Sequence, residues 1–342
     1  MQQSIISIIT PSFNRADIIN ETAISIFNQT YPYWEWVIVD DGSTDNSLEV
    51  LERYAAHDKR VKTFKRIREP KGACTCRNVA VENSKGNYLI FLDTDDLLAP
   101  FCLEQRIKAI EEEPECDFII FPMLLFKKKQ DDTCLLWNID KEQDDINRIL
   151  SGDPICQGTG TIWKKTSFVK TGMWNEELLL WQDIELHLRS FLQGLKYKKR
   201  MDLLPDIYLR VSDISLSRTG FNSLAKLKSR IEVYTTTTIT IADRQKINRY
   251  KKGIRNMGAD LIVSAINSNY FNEARMLMQF SEEKNIFTQQ ELKKFSKYLV
   301  HWKLKLYKLP FINKQLAKEV RSLVPVPDST LGTVKYLQTI IY

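Results

Sequence analysis

Three carboxylates fall within four residues at Asp93-Thr94-Asp95-Asp96, directly after the apolar run Tyr88–Leu92. Carboxylates this close repel one another unless a cation neutralises them. Hard oxygen ligands at i, i+2 spacing suit Mg2+ or Mn2+, and such an ion bridges two phosphates. The other reading is an acidic turn capping a helix that begins near Leu97. Two more polar segments follow apolar runs, Pro11-Ser12-Phe13-Asn14 and Asp40-Asp41-Gly42-Ser43. A further aspartate, Asp183, lies in Trp181-Gln182-Asp183-Ile184-Glu185-Leu186-His187, where apolar spacing predicts a helix over 183–193. A carboxylate there can take a proton from a reacting hydroxyl. It can equally serve only to complement the helix dipole.

These residues need elements that bring them together. Strands are predicted over 4–10, 36–39, 61–66 and 88–92, with helices over 16–28, 48–56 and 73–83 between them. Such alternation means right-handed βαβ units and a mostly parallel α/β sheet. Ligands bind such sheets beyond the carboxyl ends of the strands, where all three polar segments fall. Further on, 117–126 is an apolar run, 134–137 pairs back as a hairpin, 159–163 is a short strand and 203–211 a late strand. From about 221 the pattern turns helical, basic and Gly-poor, with a break at Pro325-Val326-Pro327. The expected division is a catalytic domain over 1–220 and a mainly helical region over 221–342.

Composition limits the function. No G-x-G-x-x-G follows the first strand and no G-K-[ST] loop occurs, so dinucleotide and P-loop readings lose support. No run approaches the roughly 20 apolar residues needed to span a bilayer. The start, Met1-Gln2-Gln3-Ser4, has no basic segment, and reads as the approach to a first strand rather than a secretory signal. A cytoplasmic protein, soluble or peripheral on the inner membrane, is expected. Of six cysteines only Cys74 and Cys76 are close, and no second pair completes a zinc site, so free thiols are expected. The net charge of +6 divides into −6 over residues 1–220 and +12 over 221–342.

The motifs resemble family 2 inverting glycosyltransferases, which have the GT-A fold. The resemblance is carried by Ser7-Ile8-Ile9-Thr10-Pro11-Ser12-Phe13-Asn14-Arg15, Asn28-Gln29-Thr30-Tyr31-Pro32 and Val37-Ile38-Val39-Asp40-Asp41-Gly42-Ser43-Thr44-Asp45. Gly72, Arg77-Asn78 and Lys85-Gly86-Asn87-Tyr88-Leu89-Ile90-Phe91-Leu92-Asp93-Thr94-Asp95-Asp96 follow in the same order. It is close over residues 4–112 and loose over 113–215. It implies a nucleotide-sugar donor, Mn2+ or Mg2+, and transfer of a hexosyl or N-acetylhexosaminyl unit to a glycan or lipid-linked acceptor in cell-surface polysaccharide biosynthesis. Pro11, Ser12 and Phe13 would line the nucleobase pocket, and Asp41 would accept a hydrogen bond from uracil. Asp40 would be structural and Arg77 would lie near the nucleotide. Asp93 would contact ribose or the metal-bound diphosphate, with Thr94 in the donor set. Asp95 would ligate the metal, and Asp96 would assist it or touch the donor sugar.

The family base lies in an [E/Q]-D pair about 90 residues after the acidic motif. Here Gln182-Asp183 fits, downstream of Gly172-Met173-Trp174-Asn175-Glu176. Glu185 points elsewhere on that helix. Trp174 and Trp181 flank the segment and would either stack on an acceptor sugar or pack in the core. His187 is expected to be a packed or a surface residue rather than a ligand. The sequence departs from the family at Pro70, where Asn is common, and at Tyr208-Leu209-Arg210-Val211-Ser212, which lacks the family histidine. It has no Gln-x-x-Arg-Trp motif, so a single sugar is expected to be added. The segment 298–323 mixes aromatic and basic residues. It would lie on an anionic membrane or form a solvated helical subdomain, and no nucleic-acid recognition motif accompanies the charge. Two rivals remain, a nucleotidyltransferase on a similar sheet and an inactive sugar-nucleotide or glycan-binding module.

Overall fold

The computed structural model describes residues 3–211, 219–324, 329 and 331–336. Met1-Gln2, Ser212 and the Pro325-Val326-Pro327 break lie outside the described residues. The chain begins β1 (Ile6–Ser12), α1 (Ile19–Phe27), β2 (Trp34–Asp40), α2 (Ser47–His57), β3 (Val61–Lys65), α3 (Ala73–Asn83) and β4 (Tyr88–Phe91). Then come β5 (Leu97–Leu98), α4 (Cys102–Glu112), β6 (Phe118–Ile120), β7 (Met123–Phe126), β8 (Leu135–Leu136) and α5 (Asp145–Leu150). A short 3-10 turn (Gly158–Gly160) leads into β9 (Thr161–Lys164), α6 (Lys165–Lys170), α7 (Gln182–Gln193), β10 (Tyr197–Lys199) and β11 (Ile207–Arg210). The last part holds α8 (Leu224–Asp243), α9 (Ile247–Asn267), α10 (Phe271–Glu283), α11 (Gln289–Lys303), α12 (Pro310–Arg321) and β12 (Val334–Lys335).

The main sheet has the order β10-β6-β9-β4-β1-β2-β3, with β9 antiparallel to its neighbours and the other pairs parallel. Its central strands are apolar on both faces because helices cover both. This is the expected α/β architecture, with a helical C-terminal region. A second sheet, β12-β8-β7-β11-β5, lies beside it and contains the expected hairpin of β7 with β8.

Two expectations change in detail. The apolar run 117–126 is two strands in different sheets, β6 and β7. Pro122 separates them, and proline cannot donate to a strand ladder. The strand expected over 159–163 starts at Thr161, since Gly158–Gly160 turn first. Gly160 approaches Met123 so closely that an added Cβ would lie 2.4 Å from its sulfur.

Helices α8 to α11 share one core, and that core also contains Leu150 of α5 and Leu188 and Leu192 of α7. The helical region therefore packs directly against the helix that carries Asp183. Gly253 permits this approach: an added Cβ would lie 2.6 Å from the Leu150 Cβ.

Candidate active site

The loops after β1, β2 and β4 meet the N-terminal ends of α3 and α7 around a hollow of about 390 Å³. From the sequence-predicted set, Pro11, Ser12, Phe13, Asp41, Arg77, Asp93, Thr94, Asp95 and Asp183 line it. Arg15, Gly72, Ala73, Gln157 and Gln182 complete the wall. A larger hollow, about 710 Å³, lies at the opposite end of β4 and is lined by lysines without a carboxylate.

Asp40 and Asp41, adjacent at the end of β2, do different work. The Asp40 carboxylate accepts hydrogen bonds from the Gly42 and Ser43 amides and from Ser43 Oγ (3.0, 2.9 and 2.5 Å), which holds the turn. Asp41 turns to the pocket, where Arg66 Nε donates to its Oδ1 at 2.7 Å and the Gly72 amide approaches at 3.3 Å. Arg66 escaped the sequence reading. Its place one residue past β3, on the strand beside β2, was the available signal. Phe13 lies under the Lys71 ammonium, 3.8 Å from the ring centroid.

Arg77 is buried on α3, and its Nη2 donates to Asp93 Oδ1 at 2.5 Å. Among the described residues its Nε and the buried Ser12 Oγ have no hydrogen-bond partner. Buried polar atoms are seldom left unpaired, so two such atoms on one pocket indicate a site that a polar ligand completes.

Asp183 is half-buried in the first turn of α7, whose start is set by Trp181 in the left-handed backbone region (φ 63°). The Gly158 amide donates to Asp183 Oδ1 at 2.6 Å. Burial raises the Asp183 pKa above the ordinary aspartate value, and the nearby Arg77 charge opposes that rise. A carboxylate poised this way is a stronger proton acceptor than a free one. Gly158 itself is fixed from below. Buried Arg106 pairs with buried Asp206 through two bonds (2.9 and 2.7 Å) and donates to the Thr159 carbonyl at 2.8 Å. The sequence reading missed Gln157 and Gly158, although Gln157-Gly158-Thr159-Gly160 is a small-residue turn directly before a strand.

The acidic motif offers a divalent ion two carboxylates, Asp93 and Asp95, both on the pocket wall. Burial raises the Asp95 pKa and the neighbouring Asp93 charge raises it further, while the Arg15 and Arg210 charges oppose the rise. Asp93 shares its charge with Arg77. Asp96 does not fit: it is buried, accepts from the Arg210 amide at 2.9 Å and faces Thr159 Oγ1 at 3.5 Å. It closes the loop onto β11 and is absent from the pocket wall, unlike its neighbours Asp93, Thr94 and Asp95. Two carboxylates at most then face an ion, which suits Mg2+ or Mn2+ completed by substrate phosphates.

Of the two readings open for the tryptophans, the structure favours core packing. Trp174 is 2% exposed, edge-on to Phe91 at 5.1 Å, with Arg77 4.9 Å above its ring. It has no face for a sugar and instead supports Arg77. Trp181 packs against the helical core, with the Arg230 guanidinium 5.8 Å from its ring. His187 is buried, its Nδ1 2.7 Å from the Asp183 carbonyl oxygen. Burial lowers its pKa to about 4, so it is neutral near pH 7 and Nδ1–H donates. Glu185 is held by Arg189 at 2.6 Å.

The sequence profile of "Glycosyl transferase family 2" matches residues 7–172, which contain every strand-end segment of the pocket. This segment belongs to glycosyltransferase family 2. Among its relatives is TuaG of Bacillus subtilis, a glycosyltransferase assigned provisionally to teichuronic acid biosynthesis. It is 39% identical over 114 residues, which are 33% of this chain and 44% of TuaG. GlyG of Streptococcus pneumoniae is 31% identical over 34% of this chain and 38% of its own. The poly(ribitol-phosphate) beta-glucosyltransferase of Bacillus spizizenii is 39% identical over 27% of this chain and 15% of its own. The match thus spans less than half the length of these relatives. Among solved structures, Staphylococcus aureus TarS 1–349 in complex with UDP-GlcNAc superposes with a TM-score of 0.64 at 17% identity, covering 93% of this chain and 90% of that one. The mannosyltransferase PcManGT of Pyrobaculum calidifontis, in complex with GDP-Man and Mn2+, gives 0.51 at 16%, covering 93% and 85%. These likenesses establish a GT-A-like fold.

Proposed function

We propose that this chain transfers one sugar from a nucleotide-sugar donor to a hydroxyl of a glycan or lipid-linked saccharide, with inversion at the anomeric carbon. The observation that carries the reading is one pocket holding strand-end Asp93 and Asp95 together with Asp183 from a separate helix. The donor is a UDP-sugar: Asp41, oriented by Arg66, offers an acceptor to the uracil ring. UDP-GlcNAc in the TarS neighbour supports this, and GDP-Man in PcManGT is the competing donor type. The names of the Bacillus relatives support an acceptor in cell-wall polymer assembly. Catalysis belongs to residues 1–220, and helices α8 to α11 buttress α7.

In this mechanism Pro11, Ser12 and Phe13 seat the base, and Arg77 holds Asp93 toward the donor. Asp183, fixed by Gly158, takes the proton of the acceptor hydroxyl. The acceptor oxygen bonds to the anomeric carbon as the bond from that carbon to the diphosphate breaks. No covalent enzyme intermediate is needed. Asp95, with Asp93, would hold a divalent ion, which would supply positive charge for the departing diphosphate.

The test is nucleotide release by purified protein from a panel of UDP- and GDP-sugars, with Mn2+, Mg2+ or EDTA. Metal-dependent turnover of one UDP-sugar, lost in Asp95→Ala, is expected. Binding of donors without turnover, under every acceptor tried, would favour an inactive binding module. No binding of any nucleotide sugar would overturn the reading.

A further inference from the structure

The helical region buries its own core yet leaves one corner uncovered. Where α11 ends and α12 begins, Leu304 is 63% exposed, Leu309 50% and Phe311 83%. Val300 stands one helical turn before Leu304, so it shares that face and is also exposed. Beside them Trp302 stacks on Tyr307 at 4.2 Å. Residues 292–318 hold eight lysines and no carboxylate. All eight are exposed, and one, Lys297, is engaged by Glu319. Lys303, Lys305 and Lys308 alternate with the exposed apolar residues.

We propose that this corner docks on an anionic lipid bilayer, with Leu304, Leu309 and Phe311 entering the interface and the lysines binding lipid phosphates. Apolar tips ringed by lysine, with an aromatic pair at the boundary, match the layering of an anionic membrane surface. A nucleic acid would satisfy the lysines but leave Leu304 and Phe311 in water. A second copy of the chain would bring its own lysines against these, which repel. None of the described helices is long and apolar enough to cross a membrane, so the contact lies on the surface. The inference rests on the surface alone. It complements the proposed transfer by placing the enzyme where a lipid-linked acceptor resides.

The experiment is co-sedimentation of the full chain with vesicles of phosphatidylglycerol and phosphatidylcholine, beside vesicles of phosphatidylcholine alone. Binding to the anionic vesicles only, weakened by salt, is expected. The triple substitution Lys303→Glu, Lys305→Glu, Lys308→Glu should lower partitioning on the order of a hundredfold. The pair Leu304→Ser, Phe311→Ser should lower it about tenfold. Thermal melting and donor turnover in detergent-free buffer should match the parent chain in both variants. Equal binding to neutral vesicles, or binding that survives both variants, would overturn the proposal. So would RNA retention or self-association that tracks these residues while vesicles are not bound. If vesicles are bound but no donor turns over, the surface stands and the transferase reading falls.

Discussion

Asp41, Asp95 and Asp183 reach one pocket from the ends of β2 and β4 and the start of α7, while Lys303, Lys305 and Lys308 stand outward on a helical corner. The acidic groups have defined geometry. Arg66 holds Asp41, the Gly158 amide holds Asp183, and burial keeps Asp95 and Asp183 above the usual aspartate pKa. The lysines on the corner are spread over an exposed surface, so their effect is a summed potential rather than a fixed contact. The comparison separates two uses of charge: chemistry needs a few groups in place, whereas attachment needs only many on one side. The halves still meet, because the core of the helical region includes Leu188 and Leu192 of the helix that carries Asp183.

Several substitutions would break or sharpen that contrast. Outside the base itself, the largest effect is expected at Asp95→Ala, with donor turnover falling roughly a hundredfold or more and no longer responding to added Mn2+. Steady-state rates across a metal titration check it. Gly158→Ala comes next. Its Cβ would lie 3.1 Å from Asp183 Oδ1 and 3.0 Å from the Trp174 ring, so the base must shift. A misplacement of this kind is expected to cost on the order of tenfold to a hundredfold in kcat, with donor Kd by calorimetry little changed. Gly253→Ala probes the other half, by overpacking α9 on α5 and Leu150. A loss of about 1–3 kcal/mol in urea unfolding is expected, with donor affinity retained.

The smallest effect concerns pH. His187 has a folded pKa of about 4, below the unfolded 6.5. The unfolded chain binds the extra proton first, so this contribution to stability is present above 6.5 and lost as pH falls toward 4. The melting temperature of the parent chain should therefore drop more steeply across that window than that of His187→Gln. The buried carboxylates act in the opposite direction, which is why the comparison between the two proteins is the informative quantity.

The legible part of the molecule is its strand-end chemistry. Asp40 and Asp41, Arg77, Asp93 and Asp95 sit in short motifs whose local hydrogen bonds shape them, and the alternation of apolar runs placed them on one sheet edge. The illegible part depends on tertiary contact. Asp96 looks like its neighbours in sequence, yet its carboxylate serves β11, more than a hundred residues away. Trp174 looks available for stacking until the fold buries it against Phe91. Gly158 carries no side-chain signal at all, since its role is one amide and the absence of a Cβ.

The account stands most directly on Asp183. Donor affinity by calorimetry and transfer rate to acceptor should be measured side by side for Asp183→Asn and the parent chain. We expect unchanged donor affinity and a rate loss on the order of a hundredfold to ten-thousandfold, with the parent's acid limb in kcat/KM lying above the pKa of a free aspartate. Parent-like transfer in Asp183→Asn, or a loss of donor binding as large as the loss of rate, would contradict it.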